Sequence, residues 1–284
     1  MSNHHESYGR MLSDPVNWRQ SLIHVLEPQV QRLLEDRGPP QPSDSKASSV
    51  LLLLAPTSPH PGAPAETSLI LTKRSRMVRQ AGDLCCPGGI TAPRLDAALA
   101  NLLFLPYSPL SRWPFWAALR RHTPAQSRKL AFLLATGLRE SWEEIRLNPT
   151  RVLFLGALPK QRLLLFPRSI HPLVVWVERQ RRFFPSWEVD RIVSIPVRRL
   201  LDPNNHYRYR LYVAPHLADL YQPNIQDFPC VFHRDHHHAE VLWGVTYRIV
   251  MEFLELVFGF RPPDVTNRPF IPGLLDESYL NGRD

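Results

Sequence analysis

Residues 139–147 read RESWEEIRL, and Pro149 follows. On a helix of 3.6 residues per turn, Leu134, Leu138, Trp142 and Ile145 line one face, while Glu140, Glu143 and Glu144 share another. Arg139 stands four residues before Glu143 and can pair with it. Three carboxylates so placed repel at about 0.2–0.5 kcal/mol per pair. Near a helix C-terminus each also opposes the macrodipole by about 0.3–1 kcal/mol. Two readings follow. The cluster is a solvated acidic face, or it is a set of hard oxygen donors for Mg²⁺ or Mn²⁺.

Upstream of the acidic helix, Leu22, Val25, Leu26, Val30, Leu33 and Leu34 recur at helical spacing within residues 14–36, where Pro28 predicts a kink or break. GPPQPSDSKAS is a linker by composition. SVLLLLAP and SLILTKR read as strands, and a glycine loop ending in CCPGG follows them. Residues 90–130 mix helical patterns with the proline-punctuated, aromatic PYSPLSRWPFW. Beyond Pro149 the pattern turns to strands, RVLFLGAL, HPLVVWVE, DRIVSIPV, YRYRLYV and FPCVFHR, before a helix over 239–258. Strands on both sides of a central helix predict an α/β or α+β chain.

The composition bounds the partners. The chain has 284 residues, is 44% hydrophobic and carries a formal charge of +8, which supports a core and favours anionic partners. Three cysteines, two of them adjacent (Cys85, Cys86, Cys230), fit a reducing compartment. The start MSNHHESYGR lacks the apolar core of a signal peptide, and no apolar run approaches the roughly 20 residues of a membrane span. A soluble, cytoplasmic protein is expected.

LTKRSRMVRQAGDLCCPGG (71–89), taken with RESWEE, resembles the Nudix hydrolases and, within them, the coenzyme A diphosphatase group. The Nudix box joins a glycine loop to an Arg-Glu, two residues, Glu-Glu helix; here these are Gly89, Arg139, Glu140, Glu143 and Glu144. The upstream signature matches at Leu71, Thr72, Arg74, Ser75, Arg79, Gly82, Pro87, Gly88 and Gly89. Residues 187–201 and 241–249 also look like that group's later strand and last helix. This chain departs from the pattern at several places. Residues 90–138 separate the loop from the Arg-Glu pair, Leu95 with Asp96 beside it stands where the box has a glutamate, Cys86 replaces a phenylalanine, and Arg146 replaces a glycine.

The resemblance implies a Nudix-type α/β/α sandwich with a mixed sheet, an N-terminal helix and a helical insert. The expected organisation is a helix and linker over 1–47, a Nudix domain over 48–260 with the insert at 90–130, and a tail over 261–284. It also implies a diphosphatase that cleaves coenzyme A or acyl-coenzyme A to 3′-phospho-ADP and a phosphopantetheine. Glu140, Glu143 and Glu144 would hold Mg²⁺ or Mn²⁺, and Arg139 would orient a carboxylate. A glutamate of the helix, or Glu188, would take the proton from water. Lys73, Arg74 and Arg79 would meet substrate phosphates, and Gly88 and Gly89 would let the backbone come close. The expected partner is a small nucleotide like coenzyme A; nucleic acid is not expected, and a homodimer is left open. Two other functions remain: hydrolysis of another nucleoside diphosphate derivative, and an inactive Nudix fold that binds nucleotide or RNA.

Some features are read blandly. Four histidines as close as His233, His236, His237 and His238 cannot share one tetrahedral ion, and a surface turn with Asp235 capping the following helix is expected. Trp142 and Cys86 are read as core. The aromatic-rich 90–130 segment is expected to pack on the domain or on a second subunit; a lid, an acyl groove and a membrane contact stay open.

Overall fold

The computed structural model describes residues 15–35, 47–58, 65–162, 169–235 and 237–282. The chain divides into two compact units. One comprises Met1–Ile70 and Cys86–Phe184, the other Leu71–Cys85 and Pro185–Asp284.

The first unit is built around strand β1 (Ser48–Thr57), whose Leu51–Ala55 run is wholly buried. A strand buried on both faces needs cover on both, and the register shows what supplies it. β1 pairs antiparallel with β2 (Glu66–Arg74), Leu53 opposite Ile70, and with β4 (Gly88–Ile90), Val50 opposite Gly88. It pairs parallel with β7 (Ser169–Val177), Leu51 opposite Leu173. β7 in turn pairs antiparallel with β5 (Val152–Ala157) and β6 (Gln161–Arg162).

Partners in register share a face. Leu52, Val174 and Gly156 point to one side, where a Cβ on Gly156 would stand 2.4 Å from Cβ of Leu26 in helix α1 (Pro15–Glu35). Ser49, Leu51 and Leu173 point to the other. There Gly137 of a long helix lets its backbone approach Leu51, whose Cδ2 would lie 2.6 Å from an added Cβ. Helices therefore lie on both faces of a mixed sheet, an α/β/α arrangement. Helix α1 runs through Pro28 unbroken: Pro28 is exposed, and Trp18, Leu22, Leu26, Val30 and Leu33 stay buried on the opposite stripe. Val25, expected on that stripe, is exposed.

Segment 90–130 belongs to this unit. It supplies α2 (Pro93–Leu102), an irregular stretch, α3 (Trp116–His122) and the start of α4 (Pro124–Ile145). Trp113 is buried with its ring 5.4 Å from that of Phe154, and Leu103, Leu110, Trp116 and Leu119 are buried too. Arg112 bonds Glu178 at 2.8 Å and the carbonyl of Val152. Trp113 and Trp116 pack into the unit's own core, whereas Tyr107 is exposed.

The second unit carries β3 (Leu84–Cys85), paired with the end of β2, then β8 (Val189–Pro196) and a short helix α5 (Val197–Leu200). A four-stranded sheet follows, in the order β11-β10-β9-β12. Its strands are β9 (His206–Val213), β10 (Ile225–Arg234), β11 (Ala239–Leu242) and β12 (Phe270–Leu275). Helix α6 (Gly244–Phe258) and a terminal turn of helix α7 (Glu277–Asn281) complete it. The expected helix over 239–258 thus starts at Gly244, because Ala239–Leu242 pairs with Val231–Arg234 as a hairpin. Asp235 caps that hairpin rather than a helix: its Oδ1 accepts from the backbone N–H of His237 and His238. His236 lies outside the described residues. Segment 261–284, expected as a tail, supplies β12, which pairs parallel with β9.

Candidate active site

The acidic helix is α4, and its apolar stripe differs from the sequence reading by one position. Leu134, Leu138, Ser141 and Ile145 are buried, whereas Trp142 is 46% exposed. Spacings of four, three and four residues keep the small Ser141 under the helix and turn Trp142 outward. The helix ends in a left-handed C-cap: Arg146 N–H bonds the Trp142 carbonyl at 3.0 Å and Leu147 N–H bonds the Ser141 carbonyl at 3.3 Å. Arg146 closes it with φ +55°, the left-handed conformation in which glycine is strain-free.

Arg139 is the hub of the site. Its Nε donates to Asp96 Oδ1 at 2.7 Å and its Nη1 to Glu140 Oε1 at 2.9 Å. Nη1 also reaches Glu143 at 3.3 Å, and Nη2 donates to the Ile90 carbonyl at 3.0 Å. Asp96, on α2, is fully buried. It also accepts from Thr136 Oγ1 at 2.8 Å and the Ala92 N–H at 2.6 Å. A carboxylate next to the sequence position of Leu95 therefore anchors the arginine. Sequence reading noted Asp96 only as a neighbour, and its proximity to the glycine loop was the available signal. Burial works against the charge of Arg139, but Asp96 and Glu140 outweigh it and hold its pKa above the usual arginine value.

The glycine loop meets the helix on the same side. Gly88 and Gly89 pair with Val50 and Ser49 at the edge of β1. A Cβ on Gly88, at φ +141°, would stand 2.4 Å from the Ser49 carbonyl oxygen; one on Gly89 would stand 2.5 Å from the Glu140 carboxylate. Gly88 N–H donates to Glu144 Oε2 at 3.3 Å. Burial, with Glu143 and Asp96 adding repulsion, raises the Glu140 carboxyl above its ordinary value even though Arg139 pulls the other way. Glu143 is the open member, with its side chain 53% exposed.

The first unit thus brings together Gly88, Gly89, Asp96, Arg139, Glu140, Glu143 and Glu144: three carboxylates, Asp96, Glu140 and Glu143, around one guanidinium, with Glu144 bonded to the glycine loop. The other expected residues lie in the second unit. Lys73 forms an ion pair with buried Glu240 at 3.0 Å, and Arg191 holds the same carboxylate from β8. Arg74 Nε donates to the Arg79 carbonyl at 2.6 Å, closing the exposed loop that carries Arg79. Glu188, expected on a strand, is exposed in the turn before β8, where its carbonyl accepts from Ser75 N–H at 2.8 Å.

Among the described residues, no three His, Cys, Asp or Glu side chains converge closely enough to hold a metal ion. No helix among them is long and apolar enough to cross a membrane.

Compared with known proteins, the chain matches no family model and no curated sequence. Matches among solved structures are partial. A MutT/nudix family protein from Enterococcus faecalis is 9% identical, with a TM-score of 0.38 over 81% of this chain and 68% of its own. A NUDIX hydrolase from Alicyclobacillus acidocaldarius is 15% identical, with a TM-score of 0.35 over 57% of this chain and 83% of its own. A C. elegans Ap4A hydrolase is 9% identical, with a TM-score of 0.32 over 54% and 80%. At these scores the matches constrain neither fold nor function, which rest on the residues.

Proposed function

We propose that this chain is a divalent-metal-dependent hydrolase of the Nudix kind that cleaves a diphosphate attached to a nucleoside. Its substrate in this reading is coenzyme A or acyl-coenzyme A, and its products are 3′-phospho-ADP and the (acyl-)phosphopantetheine. One observation carries the reading: Gly89 gives the Glu140 carboxylate space that a Cβ would fill, beside an arginine shared by Asp96, Glu140 and Glu143.

The residues fit a hard cation in chemistry. The donors are all oxygen, and Glu140 is raised by burial and by its acidic neighbours, a balance that a bound cation would reverse. Glu140, Glu143 and Glu144 would hold Mg²⁺ or Mn²⁺, which would neutralise diphosphate charge and lower the pKa of water. Arg139 and Gly88 hold Glu140 and Glu144, and Glu143 is the exposed member of the three. Glu143 is the carboxylate open to solvent and takes the proton from the attacking water; Glu188 is the alternative base. Arg139, oriented by Asp96, holds Glu140 in place. Lys73, Arg74 and Arg79 bind the phosphates in this reading.

Arg139 and the Gly88 N–H already engage Glu140 and Glu144, which favours a second reading, a nucleotide-binding protein without turnover. One assay separates them. The full chain is incubated with coenzyme A, acetyl-coenzyme A, NADH and ADP-ribose, with Mg²⁺, Mn²⁺ or chelator. Metal-dependent release of 3′-phospho-ADP that Glu143→Gln abolishes is the expected result. Cleavage of only another substrate overturns the coenzyme A assignment. Binding without cleavage overturns the enzyme reading.

A further inference from the structure

Beyond the acidic cluster, the first unit presents a second exposed surface at the end of the same helix. Helix α4 ends at Arg146, and the RQRRFF segment (179–184) lies against that end. Gln180 fastens the two together: its Nε2 donates to the carbonyls of Arg146 at 3.0 Å and Arg182 at 3.1 Å, and its Oε1 accepts from Asn148 N–H at 2.8 Å. Phe184 N–H adds a bond to the Ile145 carbonyl at 3.0 Å.

This fixed surface is positive and aromatic. Arg146, Arg179, Arg181 and Arg182 are exposed. Trp142 is 46% and Phe184 62% exposed, and the Arg146 guanidinium lies 5.5 Å from the Trp142 ring centre. Glu178 pairs with Arg19 and Arg112, Glu144 accepts from Gly88 N–H, and among the described residues no ion pair engages the four arginines. Arg146 and Arg179 both sit at φ +55°. Non-glycine residues pay for that conformation, and it persists where surrounding bonds impose it.

We propose that this patch binds single-stranded nucleic acid, the arginines meeting phosphates and Phe184 and Trp142 stacking on bases. Arginine forks match phosphate oxygens and stack on rings, and every base offers a ring face. A lipid surface fits less well, because the patch has two exposed rings and no exposed aliphatic side chain to insert.

The test is fluorescence anisotropy of the full chain with a labelled single-stranded oligouridylate across a salt series. Neutralising three or four phosphates gives a log–log slope of roughly −2 to −3, at about −0.7 per charge. Arg181→Gln with Arg182→Gln reduces the slope by about 1.4. Phe184→Ala weakens binding about fivefold or more at unchanged slope. Arg121→Gln with Arg128→Gln removes the same charge from exposed positions elsewhere and leaves binding as it was. Matched thermal melting shows that each variant folds. The proposal is overturned if oligouridylate does not bind, if the two double variants behave alike, or if phosphatidylserine vesicles bind through these residues while oligouridylate does not.

Discussion

Asp96 in the first unit is fully buried and Asp83 in the second is half-buried, and they are held in opposite ways. Asp96 faces the Arg139 guanidinium, with Thr136 and a backbone N–H completing its bonds. Asp83 is enclosed by neutral donors: Tyr279 Oη at 2.8 Å and Trp243 Nε1 at 2.9 Å, with Tyr209 stacked at 4.5 Å on Trp243. Burial pushes the Asp83 carboxyl up to about 6, against the pull of those bonds and of Arg74. A carboxylate facing a cation orients a charged site; one held by ring donors ties a loop to helix α7, where Gln80 N–H also bonds the Tyr279 carbonyl.

The comparison breaks most readily at Asp96. Asp96→Ala strands a guanidinium that is nearly covered, and urea denaturation should show a loss of about 3–5 kcal/mol. A loss under about 1 kcal/mol would mean that Glu140 and Glu143 satisfy Arg139 unaided.

The contrasting carboxyl is tested by pH. The folded chain keeps the Asp83 proton more tightly than the ordinary value of 3.8. Its stabilisation is therefore complete below that value and is lost as pH rises through about 6. Asp83→Asn should remove this slope, so that the wild-type-minus-variant stability falls by roughly 1–3 kcal/mol between acid pH and neutrality. Equal pH profiles of thermal midpoint would break the contrast.

The adjacent glycines sharpen the account of the first unit. Gly88→Ala meets rigid backbone at Ser49 with strained φ and should cost roughly 1–3 kcal/mol. Gly89→Ala meets only the far end of Glu140. Stability should stay within about 0.5 kcal/mol, while hydrolysis of the diphosphate falls at least about tenfold as the carboxylate is displaced. Equal stability losses in the two variants would show that Glu140 cannot move.

Much of this was legible locally. The helix of RESWEEIRL, the strands beside it and the shared face of Glu140, Glu143 and Glu144 follow from periodicity, which acts along a few turns of chain. Trp142 escaped because its face depends on whether small Ser141 can take the core position, and packing decides that. Hairpin pairing turned Ala239–Leu242 into a strand for the same reason: its partners, Val231–Arg234, are supplied by another strand.

By itself the sequence determined the acidic helix, the glycine loop and the alternating strand–helix pattern, because these depend on residue type and spacing over a few neighbours. Only the tertiary structure decided that Asp96 serves Arg139, that Glu240 takes Lys73, and that Gln180 gathers arginines around Trp142. Ion pairs and hydrogen bonds between distant positions depend on where the folded backbone brings each group and which partner remains within about 3 Å of it, and no local pattern records that.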